Sequence, residues 1–342
     1  MHAEAPLISI IITCFNYELF IRKCIDSALQ QKYPNLEVIV VDDGSTDGSW
    51  QRIQEYQDRI IALRTENRGA LGCSLTGFSL SKGDFVHFLD ADDILLPDAL
   101  QHIATHLRPD VSKVQFMLLP IDHTGNPIGD AFPQLAASES SLSLIQSIHR
   151  RGYYNTPPTS GNVYRRDVYE NLGDLSYERA IDGVPYLLAP FVGNVVSIAR
   201  PLGKYRIHNA NLSSFSTLTR ERMNGYVDRF QGRLRHLVKL IDARGLRYEM
   251  TLRDDYGYVL EMRMLGVVAS GRRPDWGLAS SYLSAVKREH QGVLRRIMHV
   301  AFTLGLIVLP DTGRQRLARF RLDPAQFQRV RKRLKQSLSV PQ

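Results

Sequence analysis

The stretch VIVVDDGSTDGS, residues 38–49, carries four consecutive apolar β-branched residues, then two aspartates, then a run of small and polar residues. Val38, Ile39, Val40 and Val41 form the short continuous apolar run of a strand covered on both faces, as in a parallel sheet. Asp42 and Asp43 stand at its carboxyl end. In open α/β sheets ligands bind in the crevice beyond the carboxyl ends of the strands, so position alone makes these two acids candidates for a contact. The plainer alternative is turn and cap chemistry, since Asp42, Gly44, Ser45 and Asp47 all suit a turn leading into a helix.

Working outward from this stretch, LISIIIT at 7–13 reads as a buried strand, and 18–31 follows with Phe20, Ile21, Cys24, Ile25, Ala28 and Leu29 on one helical face. The pattern then predicts a strand over 36–41, a helix over 49–57, a strand over 60–64, a small-residue helix over 70–81 and a strand over 85–89, FVHFL. Strands alternating with helices at this spacing indicate βαβ units and an α/β fold with a mainly parallel sheet. Further on, the sequence predicts a helix near 97–106, a strand near 113–121, a loop at Gly125, Asn126 and Pro127, and a helix near 141–150. From about Arg222 it becomes helical and Arg-rich, with breaks at 271–274 and 310–313.

A chain of 342 residues with 44% hydrophobic residues has room for a large globular domain and a second region. The net charge of +8 is unevenly spread: residues 1–220 hold 19 Lys+Arg against 24 Asp+Glu, and residues 221–342 hold 24 against 11. The expected division therefore falls there, with 1–220 as one domain and 221–342 as a basic helical region suited to an acidic surface. Cys14, Cys24 and Cys73 are odd in number and lack metal-ligand spacing, which fits buried thiols in a reducing compartment. MHAEAPLISI has no basic start followed by a long apolar core, so the expected location is cytoplasmic.

A second acidic cluster, DADD at 90–93, directly follows FVHFL. Two acids in Asp-x-Asp spacing at a strand end can share one hard divalent cation, the kind that bridges carboxylates to substrate phosphates. A helix cap near Leu96 and Pro97 is the alternative use of Asp92 or Asp93. The first strand is not followed by G-x-G-x-x-G, which points away from a dinucleotide fold. It ends instead in TCFNY, where Thr13, Phe15 and Asn16 offer a hydroxyl, a stacking face and an amide to a base. No Walker A, G-x-S-x-G, H-E-x-x-H or paired C-x-x-C motif occurs, which removes the usual kinase, hydrolase and zinc readings.

Taken in order, ISIIITCFNYELFIRKCIDSALQQKYPNLEVIVVDDGSTDGS, ENRG and GDFVHFLDADDILLPDAL resemble the nucleotide-sugar domain of family 2 glycosyltransferases, over approximately residues 7–215. The resemblance implies a GT-A fold, a Rossmann-like α/β domain with a mainly parallel central sheet, here followed by a helical C-terminal region. It implies that Thr13 and Phe15 sit at the nucleobase, that Asp43 accepts the uracil imide hydrogen, and that Asp92 holds Mg²⁺ or Mn²⁺ on the diphosphate. Asp90 would flank the ribose or the metal, with Asp42 the more structural acid. Arg68 of ENRG would touch the nucleotide or only salt-bridge to it. An inverting transferase also needs a base for the acceptor hydroxyl, and the resemblance puts Asp182 of ERAIDGVPYLLAPF there. Ile181 stands where many members have Glu, which keeps Glu178 as an outside candidate, and Asp182 also suits an ordinary N-cap. KYRIHNANLS resembles the family's closing motif, with Arg206 and His208 near the diphosphate or metal.

The reaction so implied is transfer of a sugar from a UDP-sugar to a hydroxyl of a surface polysaccharide or lipid-linked glycan. A catalytically silent nucleotide-binding subunit, or a nucleic-acid binder acting through the basic tail, is the competing class. The intact Asp-x-Asp and Asp182 oppose the first, and the tail's lack of regular aromatic interleaving opposes the second. VLRRIMHVAFTLGLIVLP, residues 293–310, is too short to span a bilayer comfortably and reads as a core helix or, with its basic flanks, as a helix lying on anionic lipid at the inner face of the cytoplasmic membrane.

Overall fold

A computed structural model describes residues 5–137, 139–208, 218–289 and 292–322. The chain divides into two compact units, one of Met1–Ile148, Tyr153–His208 and Arg235–Met250, the other of His149–Gly152, Asn209–Leu234 and Thr251–Gln342.

The first unit is built on one eight-stranded sheet, with strands β1 (Ile8–Cys14), β2 (Leu36–Asp42), β3 (Ile61–Arg64), β4 (Phe85–Asp90), β5 (Ile94–Leu95), β6 (Val111–Ile121), β7 (Asn162–Arg165) and β8 (Asn194–Arg206). Their order across the sheet is β3-β2-β1-β4-β7-β6-β8-β5. β1 through β4 pair in parallel, as does β6 with β8, whereas β7 and β5 run antiparallel to their neighbours. The helices of this region are α1 (Ile21–Leu29), α2 (Ser49–Gln54), α3 (Gly69–Leu80), α4 (Ala99–Ala104), α5 (Ser141–Arg151) and α6 (Pro185–Val192).

The parallel half follows from its residues. Every side chain from Val38 to Asp42 of β2 is buried, as the continuous β-branched run requires when both faces are covered. Helix α1 buries Ile21, Cys24, Ile25 and Ala28, spaced for one helical stripe, against the core that Ile8, Ile10 and Ile12 share with Val38 and Val40. Helix α3 shows how small residues set helix-to-sheet distance. A Cβ added at Gly77 would lie 2.4 Å from Ile11 Cγ2, so only glycine lets this helix settle on β1 and β2. Gly77→Ala should therefore lower the unfolding free energy by about 1–3 kcal/mol, read as a lower urea midpoint at unchanged slope.

The second unit is helical: α7 (Arg220–Ala243), whose first part belongs here, α8 (Gly257–Ala269), α9 (Trp276–Glu289), α10 (Val293–Val308) and α11 (Asp311–Leu322). Helix α8 packs on α9 and α11, and α10 on the same two. At its centre Tyr282 donates to Glu261 Oε2 (2.7 Å) and pairs with His299 Nδ1 (2.6 Å), while Arg321 forks onto Glu261 (2.8 and 3.0 Å). A buried polar network of this kind stabilises only when every member has a partner. The expected break at 271–274 falls between α8 and α9, but that at 310–313 is narrower, because Asp311 to Gly313 already form the first turn of α11. Pro310 stops α10, and Arg314 bridges back to Leu309 O (3.1 Å) and to Asp311 (3.2 Å), satisfying an open helix end.

Candidate active site

The carboxyl ends of β1, β2 and β4 lie side by side. Thr13 faces Val41 on one neighbour and Asp90 on the other, and Cys14 faces Asp42. This juxtaposition brings the first-strand residues, the acids after β2 and the DADD cluster to one edge of the sheet.

On the β2 side, the two aspartates divide their work. Asp42 is fully buried, pairs with Arg64 Nε (3.2 Å) and accepts the Ser45 N–H (3.1 Å), which is turn-building. Asp43 accepts the Arg68 N–H at 2.7 Å, so its carboxylate is aimed at the loop that opens α3. Arg68 reaches this acid through its backbone, while its side chain stands exposed. Gly44 has φ +74°, and a Cβ there would meet Asn67 N at 3.1 Å and Thr65 O at 3.2 Å, so the turn after Asp43 needs glycine. Asn16, with φ 60°, donates its N–H to Ser45 Oγ (3.0 Å) and accepts the Thr46 N–H (2.8 Å), tying the β1 loop to the β2 loop. Phe15 is 42% exposed, leaving a ring face open at this edge.

On the β4 side, the cap alternative fails: helix α4 is capped by neither Asp92 nor Asp93. Asp92 Oδ2 lies 2.8 Å from His208 Nε2, and Asp93 Oδ1 accepts the Arg206 N–H at 2.8 Å. Arg206, 1% exposed, donates Nε to Asp92 O (2.8 Å) and Nη1 to Asp122 O (3.0 Å) and His123 O (3.2 Å), with its guanidinium over the Phe20 ring. Arg206 thus holds the acidic loop in shape by its carbonyls. Asn209 to Ser213 of the closing motif lie outside the described residues.

Asp182 comes to the same region by way of a turn. Its carboxylate accepts the Thr159 hydroxyl (3.2 Å) and its carbonyl accepts the Tyr186 N–H (3.2 Å), while Val184, which offers no side-chain bond, occupies the N-cap position ahead of α6. The next residue of that turn, Ser160, accepts the Asp90 N–H on Oγ (3.1 Å), and its carbonyl lies 3.0 Å from His87 Nε2. Asp90 and Asp182 therefore hang from adjacent residues of the 3₁₀ turn Thr159–Gly161. Burial and the nearby Asp92 and Asp182 carboxylates push Asp90 up to about 8, and burial with Asp92 and Asp90 pushes Asp93 well above the carboxylate range. Glu178 is buried, with its carboxylate packed on Gly183.

Three residues that sequence reasoning did not assign complete the arrangement: Thr159, Ser160 and Lys113. Lys113 is fully buried in β6, and its Nζ donates to Gln115 Oε1 (2.9 Å), Tyr154 OH (3.2 Å) and Thr156 Oγ1 (2.7 Å). The rings of Tyr154, Tyr164 and Tyr186 surround it within 6.0 Å, and burial holds its ammonium well below the usual lysine range. Thr156 also pairs with Asn162 Oδ1 (3.2 Å), and Asn162 Nδ2 donates to Pro158 O (2.8 Å), so Lys113 anchors the loop that presents Thr159 and Ser160. The only signal in the sequence was TSGN itself, hydroxyls and a glycine ahead of a short strand.

Among the described residues no three His, Cys, Asp or Glu side chains converge as a ready-made metal cage. The donor chemistry still fits a hard divalent cation held partly by substrate. Asp92 and His208 give two adjacent donors, Asp93 Oδ2 is buried without a hydrogen-bond partner among the described residues, and neighbouring carboxylates resist ionisation. Mg²⁺ and Mn²⁺ sites are commonly filled by one or two protein side chains plus phosphate oxygens and water.

The family model described as glycosyl transferase family 2 matches residues 9–172. An uncharacterized glycosyltransferase of Nostoc, alr2836, is 32% identical over 264 residues, 71% of this chain and 81% of that protein. The chain belongs to glycosyltransferase family 2. Two longer proteins are also similar: glycosyltransferase GlyA of Streptococcus pneumoniae, 26% identical over 77% of this chain, and a chondroitin synthase of Escherichia coli, 34% identical over 43% of it. The matched regions are 38% and 22% of those two proteins. Among solved structures, S. aureus TarS 1–349 in complex with UDP superposes with a TM-score of 0.54 at 14% identity, covering 92% of this chain and 91% of TarS 1–349. The same protein in complex with UDP-GlcNAc gives a TM-score of 0.53 at 15% identity, with coverage of 92% and 91%. The α/β unit of this family 2 member thus has the GT-A fold expected from its motifs, with helices following it toward the C-terminus.

Proposed function

We propose that this family 2 glycosyltransferase moves a hexosyl or N-acetylhexosaminyl group from a UDP-sugar to a hydroxyl of a surface polysaccharide or lipid-linked glycan, with inversion and with Mg²⁺ or Mn²⁺. The observation that carries the reading is the gathering of Asp43, Asp90, Asp92 and Asp182 at one strand edge, with Asp90 and Asp182 tied to adjacent residues of one turn. The UDP and UDP-GlcNAc in the TarS crystals support a uridine donor, and the chondroitin synthase similarity supports a glycan product.

In this reading Thr13, Phe15 and Asn16 frame the base, Asp43 accepts its imide hydrogen, and Asp90 lies toward the ribose. Asp92 and His208 would hold the cation, which would offset the charge of the departing diphosphate. The Asp182 carboxylate, oriented by the Thr159 hydroxyl, takes the proton of the acceptor hydroxyl as that oxygen attacks the anomeric carbon from the face opposite the diphosphate. The single displacement inverts the configuration.

Screening UDP-sugars for metal-dependent release of UDP tests the assignment. A donor hydrolysed in Mn²⁺ and spared in EDTA is the expected result; no release from any UDP-sugar, with release from another nucleotide sugar, would move the base specificity elsewhere. Asp43→Asn should weaken UDP binding by about tenfold, because an amide meets the imide hydrogen with half its edge mismatched. Unchanged UDP affinity in calorimetry would take Asp43 out of the site.

A further inference from the structure

Among the described residues, helix α10 leaves one face uncovered. Val293, Ile297, Val300, Leu304 and Val308 are 70, 57, 40, 44 and 70% exposed, and their spacing of four, three, four and four residues places them on one side of the helix. His299, Phe302, Thr303 and Leu306, on the opposite side, are buried in the helical unit. The helix contains no acid, and its only charged residues are Arg295 and Arg296. Five exposed aliphatic side chains aligned along about four turns are more than scattered surface residues and mark an interaction surface.

We propose that this outward face of α10 seats the protein on an anionic lipid bilayer, lying in the interfacial plane. Length and packing rule out a spanning arrangement for it: 16 residues rise about 24 Å, short of the roughly 30 Å hydrocarbon core, and its other side is committed to α9 and α11. Among the described residues no helix is long and apolar enough to cross a membrane. An amphipathic helix with one face packed and one face aliphatic instead rests at the headgroup boundary.

Charge selects the occupant. Residues 287–322 hold eight Lys+Arg against two acids, and Lys287, Arg295, Arg316 and Arg319 are exposed. Of the two acids, Glu289 is buried on the Gly257 N–H (2.7 Å) and Asp311 is paired with Arg314. The sequence from 323 to 342 adds five Lys+Arg against one acid. A second copy docked face to face would set this basic region against itself, since a two-fold contact matches each patch with its own kind. An anionic leaflet meets both properties, attracting the arginines and accepting the aliphatic face. The inference stands apart from the donor site and holds whichever nucleotide sugar is used.

Flotation of the full chain with vesicles of phosphatidylcholine alone, or of phosphatidylcholine mixed with phosphatidylglycerol, is the test. The wild-type protein should float with the mixed vesicles at least about tenfold more than with the neutral ones. Ile297→Asp combined with Leu304→Asp should reduce that binding at least about tenfold, with UDP affinity and melting temperature kept. Should the double variant fail to fold, Arg316→Glu with Arg319→Glu serves instead and should also reduce flotation. Equal flotation of wild type and variants, or equal flotation with both vesicle types, overturns the proposal. So does a dimer in light scattering that the double variant abolishes while no vesicle binding is seen, which would assign the face to a second copy.

Discussion

Asp182→Asn should cut sugar transfer by about 10²–10⁴-fold, the range of a lost general base, and leave UDP affinity within about a factor of two, because a base acts on the chemical step. The asparagine keeps the size of the side chain and can still accept the Thr159 hydroxyl, now 3.2 Å away, so the turn that carries Ser160 should hold. Thr159→Val should cost less than the Asp182 change, since it removes only the bond that orients the carboxylate. Glu178→Gln is the control. It lies against Gly183, one residue from Asp182, and transfer that survives Asp182→Asn but falls in Glu178→Gln would reassign the base. A product that retained the donor's anomeric configuration would contradict the single displacement.

The second large effect is expected at Asp92. Its side chain, beside His208 Nε2 at 2.8 Å, is one of the two donors that would hold a cation, while its main-chain carbonyl separately accepts Arg206 Nε at 2.8 Å. Asp92→Ala should therefore leave the acidic loop in place and remove the charge. UDP affinity in Mn²⁺ should fall by about tenfold or more, transfer by about a hundredfold or more, and UDP affinity in EDTA should not change. Asp92→Asn, which keeps the shape, should behave nearly as badly, because a neutral amide is a poor ligand for a hard divalent ion. Loss of UDP affinity equally in Mn²⁺ and EDTA would give Asp92 a role in shape only.

The parallel half of the sheet was readable because its cause is local. Continuous runs such as VIVV and FVHFL announce strands covered on both faces, and the acids at their ends follow directly in sequence, which places Asp43, Asp90 and Asp92 at strand ends from the letters alone. The antiparallel strand β7, the long β8 and short β5 were not legible, since their identity depends on partners far along the chain: β5 pairs with residues 203 and 204, about a hundred positions on. The contacts that support the site were hidden for the same reason, although the resemblance places Arg206 itself near the diphosphate or metal. Arg206 grips carbonyls at 92, 122 and 123, and Lys113, at the start of the strand expected near 113–121, is buried completely among tyrosines that come from distant parts of the chain. The outer face of α10 lies between these cases. Its apolar run and basic flanks are visible in the letters, but only packing decides which side of a largely apolar helix is left uncovered.

The proposed chemistry depends on a uridine diphosphate site that would need a divalent cation at Asp92. Titrating UDP into the wild-type protein by calorimetry, once in Mn²⁺ and once in EDTA, measures this without any knowledge of sugar or acceptor. Saturable binding of one UDP per chain in Mn²⁺ and an affinity lower by about tenfold or more in EDTA are expected. Equal affinity in the two buffers, or no binding of UDP in either, would contradict it.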